Sequence, residues 1–428
     1  MAQLSERVWK ASGQTGLPRR DRKSCVYQTY VPDPLVGRTI RLDGEVAADV
    51  GEAEAAVIKL NMEARTLRDS EALARLLLRS ESVASSRIEG LEIGARRLLR
   101  AEAARALGEA PADVTASDVL GNIDAMVSAL GGLEEGQAIT VDLMLDAHQR
   151  LLADTPLAEQ GGQTRKEQNW IGGSAFNPCS ADFVPPPWEL VDEYLADLVE
   201  FCNQDSLPPI AQAAVAHAQF ETVHPFVDGN GRTGRVLIQL VLRRRGVAPR
   251  VLPPVSLVLA TWSTEYIGAL TATRYVGPAD SAEAQEGLDR WIGLFAAAAK
   301  RAVDDAAVFE ERVGLLQEEW RSRLGRVRSN SATDLLIRAL PGIPVFTVQS
   351  AARVVGRSVP AVNEAIGRMV DAKVISQSTI GRRNRAFEAS GLIRAFTELE
   401  RRLASPAGDT RTSPPARPVP RRTPRAAQ

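Results

Sequence analysis

A mainly α-helical protein is what the sequence predicts, with one short β-hairpin in its middle and a compact unit of helices and a small wing near its C-terminus. Three observations carry that expectation. Apolar residues recur at three-to-four spacing through long stretches of Ala, Leu, Glu and Arg, which is the period of an amphipathic helix. Strand-like alternation is scarce. The stretch that breaks the habit, 161–187, is rich in Gly and Pro, which end helices and make turns. At 428 residues and 44% apolar content the chain exceeds what one hydrophobic core usually serves and suits two or three packed units.

Taken in order, the spacing predicts helices over 51–68, 71–89, 118–130, 141–152, 187–203 and 209–222. Between 161 and 187, Gly172-Gly173, Pro178 and Pro185-Pro186-Pro187 surround two short apolar pieces, Trp170-Ile171 and Phe183-Val184, the pattern of a hairpin or extended loop. Two more helices are expected over 281–328. In 331–403, Thr347 and Ser358 read as helix caps, and Val359, Val362, Ile366 and Met369 share one helix face. Strands at 374–378 and 385–388 then turn through Gly381-Arg382-Arg383-Asn384. Helix, helix, helix, wing is the order of a winged helix-turn-helix. Residues 404–428 hold six prolines, five arginines and almost no large apolar side chain, so disorder is expected there. The expected domains are an N-terminal helical region (1–110), a core (111–300), a linker helix with the winged helix (301–403) and the tail (404–428).

Charge narrows the function classes. Lys and Arg number 52 against 53 Asp and Glu, a net charge of −1, which excludes a wholly basic nucleic-acid-coating protein. Residues 350–403 alone carry ten basic and five acidic residues. Arg382, Arg383 and Arg385 at the wing could touch phosphates, with Ser358, Asn363 and Arg368 on or near a recognition helix; winged helices also dock proteins, so DNA stays one of two open partners. The longest apolar run, 291–299, is far short of the ~20 residues of a membrane span, and the first 22 residues are polar and charged. A soluble cytoplasmic protein with no membrane partner is expected. Cys25, Cys179 and Cys202 are widely spaced without a C-x-x-C pair, so no disulfide framework is expected and a reducing compartment fits.

The densest chemistry lies in His224-Pro225-Phe226-Val227-Asp228-Gly229-Asn230-Gly231-Arg232-Thr233-Gly234-Arg235. Gly229 and Gly231 let backbone approach a ligand, and the unpaired N–H groups of the helix that opens there make an anion site. Arg232 and Arg235, three apart, can grip adjacent phosphates. Asp228 is a hard oxygen ligand suited to Mg²⁺ beside those phosphates. His224 can take a proton near neutral pH. A His217, His224, Asp228 metal triad is conceivable from residue type, but the glycine context favours phosphate chemistry. His217 otherwise reads as a packing residue, and His148, with no motif around it, as a surface or helix-end residue.

This segment resembles the motif of the Fic family, H-P-F-x-D/E-G-N-G-R-x-x-R, at every fixed position, and the resemblance spans Tyr27 to about Lys300. It implies a Fic-fold helical core whose flap, at Trp170, Ile171 and Gly172, pairs with an extended target segment. It also implies transfer of AMP from ATP to a Ser, Thr or Tyr hydroxyl of a target protein, a nucleotidyltransferase activity. His224 would deprotonate the hydroxyl and Asp228 would hold Mg²⁺. Asn230, Arg232 and the turn amides around Gly229 and Gly231 would stabilise the phosphates, and Arg235 would reach the γ-phosphate. Relatives acting as kinases tend to lack the second glycine and last arginine, which stand here as Gly231 and Arg235. Transfer of phosphocholine is left open by the motif.

Upstream, Ser85-Ser86-Arg87-Ile88-Glu89-Gly90 matches the family's inhibitory pattern S/T-x-x-x-E-G/N. Ser85 and Glu89, four apart, share a helix face that Gly90 ends. The resemblance implies that Glu89 pairs with Arg235 in the γ-phosphate's place, and that the same glutamate can serve removal of AMP. Relatives with this pattern often pair through their cores, so the resemblance leaves a homodimer open, although no self-complementary patch stands out in the sequence. The rival reading is a DNA-binding regulator whose core senses nucleotide without turnover.

Overall fold

The structure, a computed structural model, describes residues 1–10, 18–66, 70–109, 113–380 and 384–403. The expectations for Arg382, Arg383 and the tail 404–428 fall outside the described residues. It opens with strands β1 (Gln3–Trp9) and β2 (Cys25–Val31), antiparallel from Gln3 opposite Val31 to Trp9 opposite Cys25. A purely helical N-terminal region is thereby corrected. Leu4, Val8 and Val26 are exposed, so the hairpin lacks the half-buried alternation by which a strand announces itself. Its buried contacts come late: Tyr30 N–H donates to Val184 O at 2.9 Å, and Ala2 bridges Gly277.

Helices dominate the rest: α1 (Gly44–Thr66), α2 (Ser70–Ile88), α3 (Ala95–Arg105), α4 (Val114–Gly131), α5 (Val141–Leu152), α6 (Val191–Asn203), α7 (Pro209–Val223), α8 (Asn230–Arg244), α9 (Val255–Thr261) and α10 (Ser263–Ala272). Side-chain oxygens cap several N-termini. Asp113 accepts from Thr115 N at 3.1 Å and Thr140 from Leu143 N at 3.1 Å, satisfying amides that have no intrahelical partner. At the centre lies α7, buried on every side from Ile210 to Val223. Its Ala-rich, all-round apolar sequence suits a helix surrounded by others. It packs against α6, α8, α1 and the long helix α11 (Ala282–Leu324).

That 43-residue helix corrects the expectation of two helices over 281–328. Nothing between Ser281, whose hydroxyl caps Ala284 N, and the positive-φ Gly325 breaks it. At ~1.5 Å per residue it runs about 65 Å. Trp291 Nε1 donates to Ala214 O at 2.7 Å, pinning it to α7. Its far end carries the C-terminal unit: α12 (Ala332–Ala339), β3 (Val345–Thr347), α13 (Val348–Val355), α14 (Val359–Asp371), β4 (Ser376–Ile380), β5 (Asn384–Glu388) and α15 (Ser390–Leu403). The strands form an antiparallel sheet ordered β3-β5-β4. Thr347 makes a capping box with Ser350, as its position suggests, whereas Ser358 occupies the N-cap position without a side-chain hydrogen bond.

Two of the three cysteines, Cys25 and Cys179, form a disulfide with Cα atoms 5.9 Å apart, and Cys202 is buried and free. The expectation of no disulfide is therefore overturned. Cysteine counting alone could not see that the N-terminal hairpin lies beside the flap, 154 residues away in sequence. Among the described residues no helix is long and apolar enough to cross a membrane.

Candidate active site

α7 ends in His224, whose backbone is left-handed (φ 50°, ψ 60°) and whose N–H donates to Phe220 O at 2.9 Å. A non-glycine residue adopts this region at a cost, so other groups must hold it. Arg165 Nε and Asn169 Nδ2 donate to His224 O at 3.0 and 3.3 Å, and Arg165 N–H donates to Pro225 O at 2.8 Å. The turn closes at Gly229 (φ 76°), and α8 begins at Asn230. His148 stacks on Phe226 with centroids 3.7 Å apart. Gly162 N–H donates to its Nδ1, so Nε2 is the protonated nitrogen and donates to Asp228 O at 3.0 Å. The expectation of a surface or helix-end His148 is corrected: the ring is buried and buttresses the turn.

Asn230 also shapes the turn. Its Oδ1 accepts from Phe226 N–H and its Nδ2 donates to Phe226 O, both at 2.8 Å. One Nδ2 hydrogen is left by these bonds, beside the main-chain amides at the start of α8.

The charged groups are arranged around this turn. Burial, with the Arg165 and Arg274 guanidinium groups nearby, pulls the His224 pKa down to about 4, so the ring is neutral at pH 7 and able to accept a proton. Its Nδ1 lies 4.0 Å from Glu221 Oε2. Burial pushes the Glu221 carboxyl up to about 7, opposed by Arg235 and reinforced by Glu89. Arg232 is buried with Nε and Nη1 unpartnered. Two orphaned cationic donors at a helix N-terminus fit an anionic ligand, since leaving them unmade is costly.

Asp228 is partly exposed beside them, with Arg232 Nη2 at 3.8 Å from Oδ2. Among the described residues no cluster of three His, Cys, Asp or Glu side chains could cage a metal. A lone carboxylate next to phosphate donors fits Mg²⁺, which keeps waters and shares phosphate oxygens. It does not fit the His217, His224, Asp228 triad: His217 Nε2 lies 2.7 Å from Tyr266 Oη in the core.

Glu89 sits across the mouth of the turn. Arg235, 1% exposed, donates from Nη2 to Glu89 Oε1 at 2.8 Å, from Nη2 to Ser85 O at 2.8 Å, and from Nε to Ser85 Oγ at 2.8 Å. Ser85 lies in the last turn of α2 and Glu89, whose N–H donates to Ser86 O at 3.1 Å, in the turn just after it, with Gly90 (φ 79°) behind them. A Cβ at Gly231 would stand 2.0 Å from Glu89 Oε1. Gly231 is thus what lets this carboxylate reach α8.

The flap is narrower than a hairpin of full strands. A single bridge joins Ile171 and Phe183, with Ile171 N–H donating to Phe183 O at 2.8 Å. Gly172 and Gly173 take positive φ, and a Cβ at Gly172 would collide with Asp182. Trp170 Nε1 donates to Ser174 O at 2.7 Å, and its ring meets Trp9 of β1 edge-on at 5.7 Å. The structure thus gathers His224, Asp228, Gly229, Gly231, Arg232, Arg235, Ser85 and Glu89 at one turn, with the flap tied to it by Arg165 and Asn169.

Arg165, Asn169, Glu221 and Arg274 were missed in the sequence. Arg165 spans the site, with Nη2 donating to Pro186 O at 2.6 Å, and Arg274 lies over the Phe183 ring at 3.6 Å. In an Arg-rich chain neither stands out. Glu221, three residues before His224 on a predicted helix, could have been found from that spacing.

Residues 138–242 match the Fic/DOC family and residues 47–131 the Fic/DOC family N-terminal region. Over these two stretches the chain is similar to the Fic/DOC family. Over 123 residues it is 38% identical to the protein adenylyltransferase fic-1 of Caenorhabditis briggsae, covering 28% of this chain and 22% of that one. Over 140 residues it is 34% identical to the protein adenylyltransferase Fic of Drosophila willistoni, covering 32% and 26%. The chain thus spans only about a quarter of these relatives' length. A Fic family protein from Desulfovibrio desulfuricans shares the fold, with a TM-score of 0.50 and 20% identity over 82% of this chain and 97% of that one.

Proposed function

We propose that this protein is a self-inhibited protein adenylyltransferase that moves AMP from ATP to a Ser, Thr or Tyr hydroxyl of a target protein. The observation that carries the reading is Glu89 lying on Gly231 and hydrogen-bonded to Arg235, at the end of a turn whose other donors suit phosphates. Two relatives bearing the name protein adenylyltransferase support it.

In this reading the target hydroxyl attacks the α-phosphorus, the bond to pyrophosphate breaks, and the hydroxyl proton passes to His224. A histidine held neutral by burial has its lone pair free for that proton. Arg232 and the first amides of α8 hold phosphate oxygens, a fixed set of donors that needs no rearrangement as charge develops. Arg235 takes the γ-phosphate once Glu89 withdraws. Asp228 would hold Mg²⁺, which supplies neutralisation of the phosphate charge. The flap edge at Trp170, Ile171 and Gly172 offers backbone for an extended target segment. Glu89 can also serve hydrolytic removal of AMP by orienting a water that attacks the phosphorus while the bond to the target oxygen breaks and that oxygen regains its proton.

The C-terminal unit we read as a winged helix. On α14 the exposed Asn363 and Arg368 stand beside the exposed Glu364 and Asp371, so DNA contact rests mainly on Arg385 and the wing. Pairing of two cores is a further proposal, tested by the mass in solution.

Incubation with Mg²⁺ and labelled ATP tests the reading. AMP transfer labels protein from the α-position and leaves it unlabelled from the γ-position; phosphoryl transfer does the reverse. Labelling from neither, in wild type and in Glu89→Gly, is the result expected of a nucleotide-sensing regulator and would overturn the proposal.

A further inference from the structure

The inhibitory turn is held from a direction that the Fic core does not supply. Glu89 sits between α2 and α3, and both helices are fastened to the C-terminal unit. Glu388, at the end of β5, is 1% exposed and accepts from Arg96 and Arg100 of α3: Arg96 Nε at 2.9 Å, Arg96 Nη2 at 2.7 Å and Arg100 Nη1 at 3.1 Å. Below these pairs, Leu99 and Ala103 of α3 bury themselves against Val345, Ala386 and Ile393 of the C-terminal unit. From α2, Arg79 Nη2 donates to Gly342 O at 3.3 Å, in the turn that leads into β3, and pairs with Glu102 of α3 at 2.9 Å.

We infer that the C-terminal unit is a regulatory domain whose grip on α3, through Glu388 with Arg96 and Arg100, keeps Glu89 seated on Arg235. This rests on the proposed function, because Glu89 is a brake only if Arg235 receives a phosphate. The physical argument is positional. Only Gly90 to Gly94 separate the Glu89 turn from α3, too short a connection to absorb a shift of α3 without moving the turn. Glu388 is the buried member of these pairs and holds its geometry, since losing both arginines would strand its charge. β5 belongs to the hairpin that forms the wing, so anything that displaces the wing pulls on the brake. Arg96, Arg100 and Glu388 are then positioning residues acting through Glu89, by way of packed elements.

The test uses the full chain with Glu388→Gln, which keeps shape without stranding a negative charge, and separately the pair Arg96→Gln with Arg100→Gln. Each is made in the wild-type and in the Glu89→Gly background. Self-labelling from α-labelled ATP is expected to rise about fivefold or more in the wild-type background, the lower end for coupling between sites, and to stay unchanged in the Glu89→Gly background. Hydrogen exchange of the amides at 86–93 is expected to quicken in both sets of variants, a readout that needs no activity. Unchanged labelling and exchange, while Glu89→Gly raises labelling, overturns the inference and leaves the proposed function standing. Lowered labelling in both backgrounds also overturns it, showing a role in folding alone. If Glu89→Gly itself gains nothing, the proposed brake fails, and exchange at 86–93 still decides whether the C-terminal unit holds the turn.

Discussion

Replacing Glu89 with glycine removes the carboxylate that accepts from Arg235 Nη2 at 2.8 Å and empties the space above Gly231. Arg235 keeps its two bonds to Ser85, so it stays in place with Nη2 turned to the vacated site. A hydrogen bond between charged groups contributes about 1.5–3 kcal/mol, which converts to a roughly 10- to 100-fold larger share of molecules open to a γ-phosphate. Folding loses up to about 1 kcal/mol for glycine near a helix end, and more because buried Arg235 keeps only its bonds to Ser85. The assay is the initial rate of self-labelling from α-labelled ATP with Mg²⁺, beside a thermal unfolding curve for each protein. A gain of ten-fold or more is expected, with a lowered melting temperature but a folded protein at the assay temperature. A rate within twofold of wild type, in a folded variant, would refute the reasoning, because the Glu89–Arg235 contact would then control nothing.

His224→Ala is expected to abolish labelling even in the Glu89→Gly background, checked by the same assay at saturating ATP. Asn230→Ala leaves the buried Phe226 N–H without its acceptor, while Phe226 O keeps the Asn169 Nδ2 donor, so it should lower unfolding stability by roughly 1–3 kcal/mol, read from urea titration. Reducing the Cys25–Cys179 bridge releases a constraint across 154 residues and should cost about 3–5 kcal/mol, seen as a lower melting temperature with dithiothreitol that a Cys25→Ser, Cys179→Ser variant reproduces without it. Acidification should destabilise the fold between about pH 6.5 and 4. His148 and His224 are each held down to about 4 and His217 to about 3, so across that window the unfolded chain binds protons that the folded one refuses. Glu221, raised to about 7, works in the opposite sense and offsets part of the loss, so the net fall in melting temperature from pH 7.5 to 5.5 should steepen in Glu221→Gln.

Much of the site was legible because it is local. The turn from His224 to Arg235 carries its own glycines, arginines and helix start, and Ser85 and Glu89 are paired by helical spacing alone. Helix 141–152 was likewise legible from its apolar spacing, and in the fold Thr140 caps it. What escaped depends on residues distant in sequence. The β1–β2 hairpin has little apolar face to reveal it, and it is held by the Cys25–Cys179 bridge and by Val184, which only the folded chain brings close. Nothing in a linear motif shows that the Asn230 carboxamide also bonds Phe226. His148 had no motif because its partners, Phe226, Asp228 and Gly162, lie on other elements. Arg165 could not be told from other arginines until its donors were seen on the carbonyls of His224 and Pro186. The single long helix α11 was divided in expectation because its length exceeds ordinary helices, although no proline interrupts it.

The account turns on whether the turn at the start of α8 seats a nucleotide's phosphates once the glutamate is gone. A crystal structure of Glu89→Gly with Mg²⁺ and a non-hydrolysable ATP analogue measures this directly. The account predicts the γ-phosphate on Arg235, the inner phosphates on Arg232 and the α8 amides, and the α-phosphorus facing the His224 ring. A nucleotide bound elsewhere, or an α-phosphorus turned away from His224 with the flap in place, would contradict it.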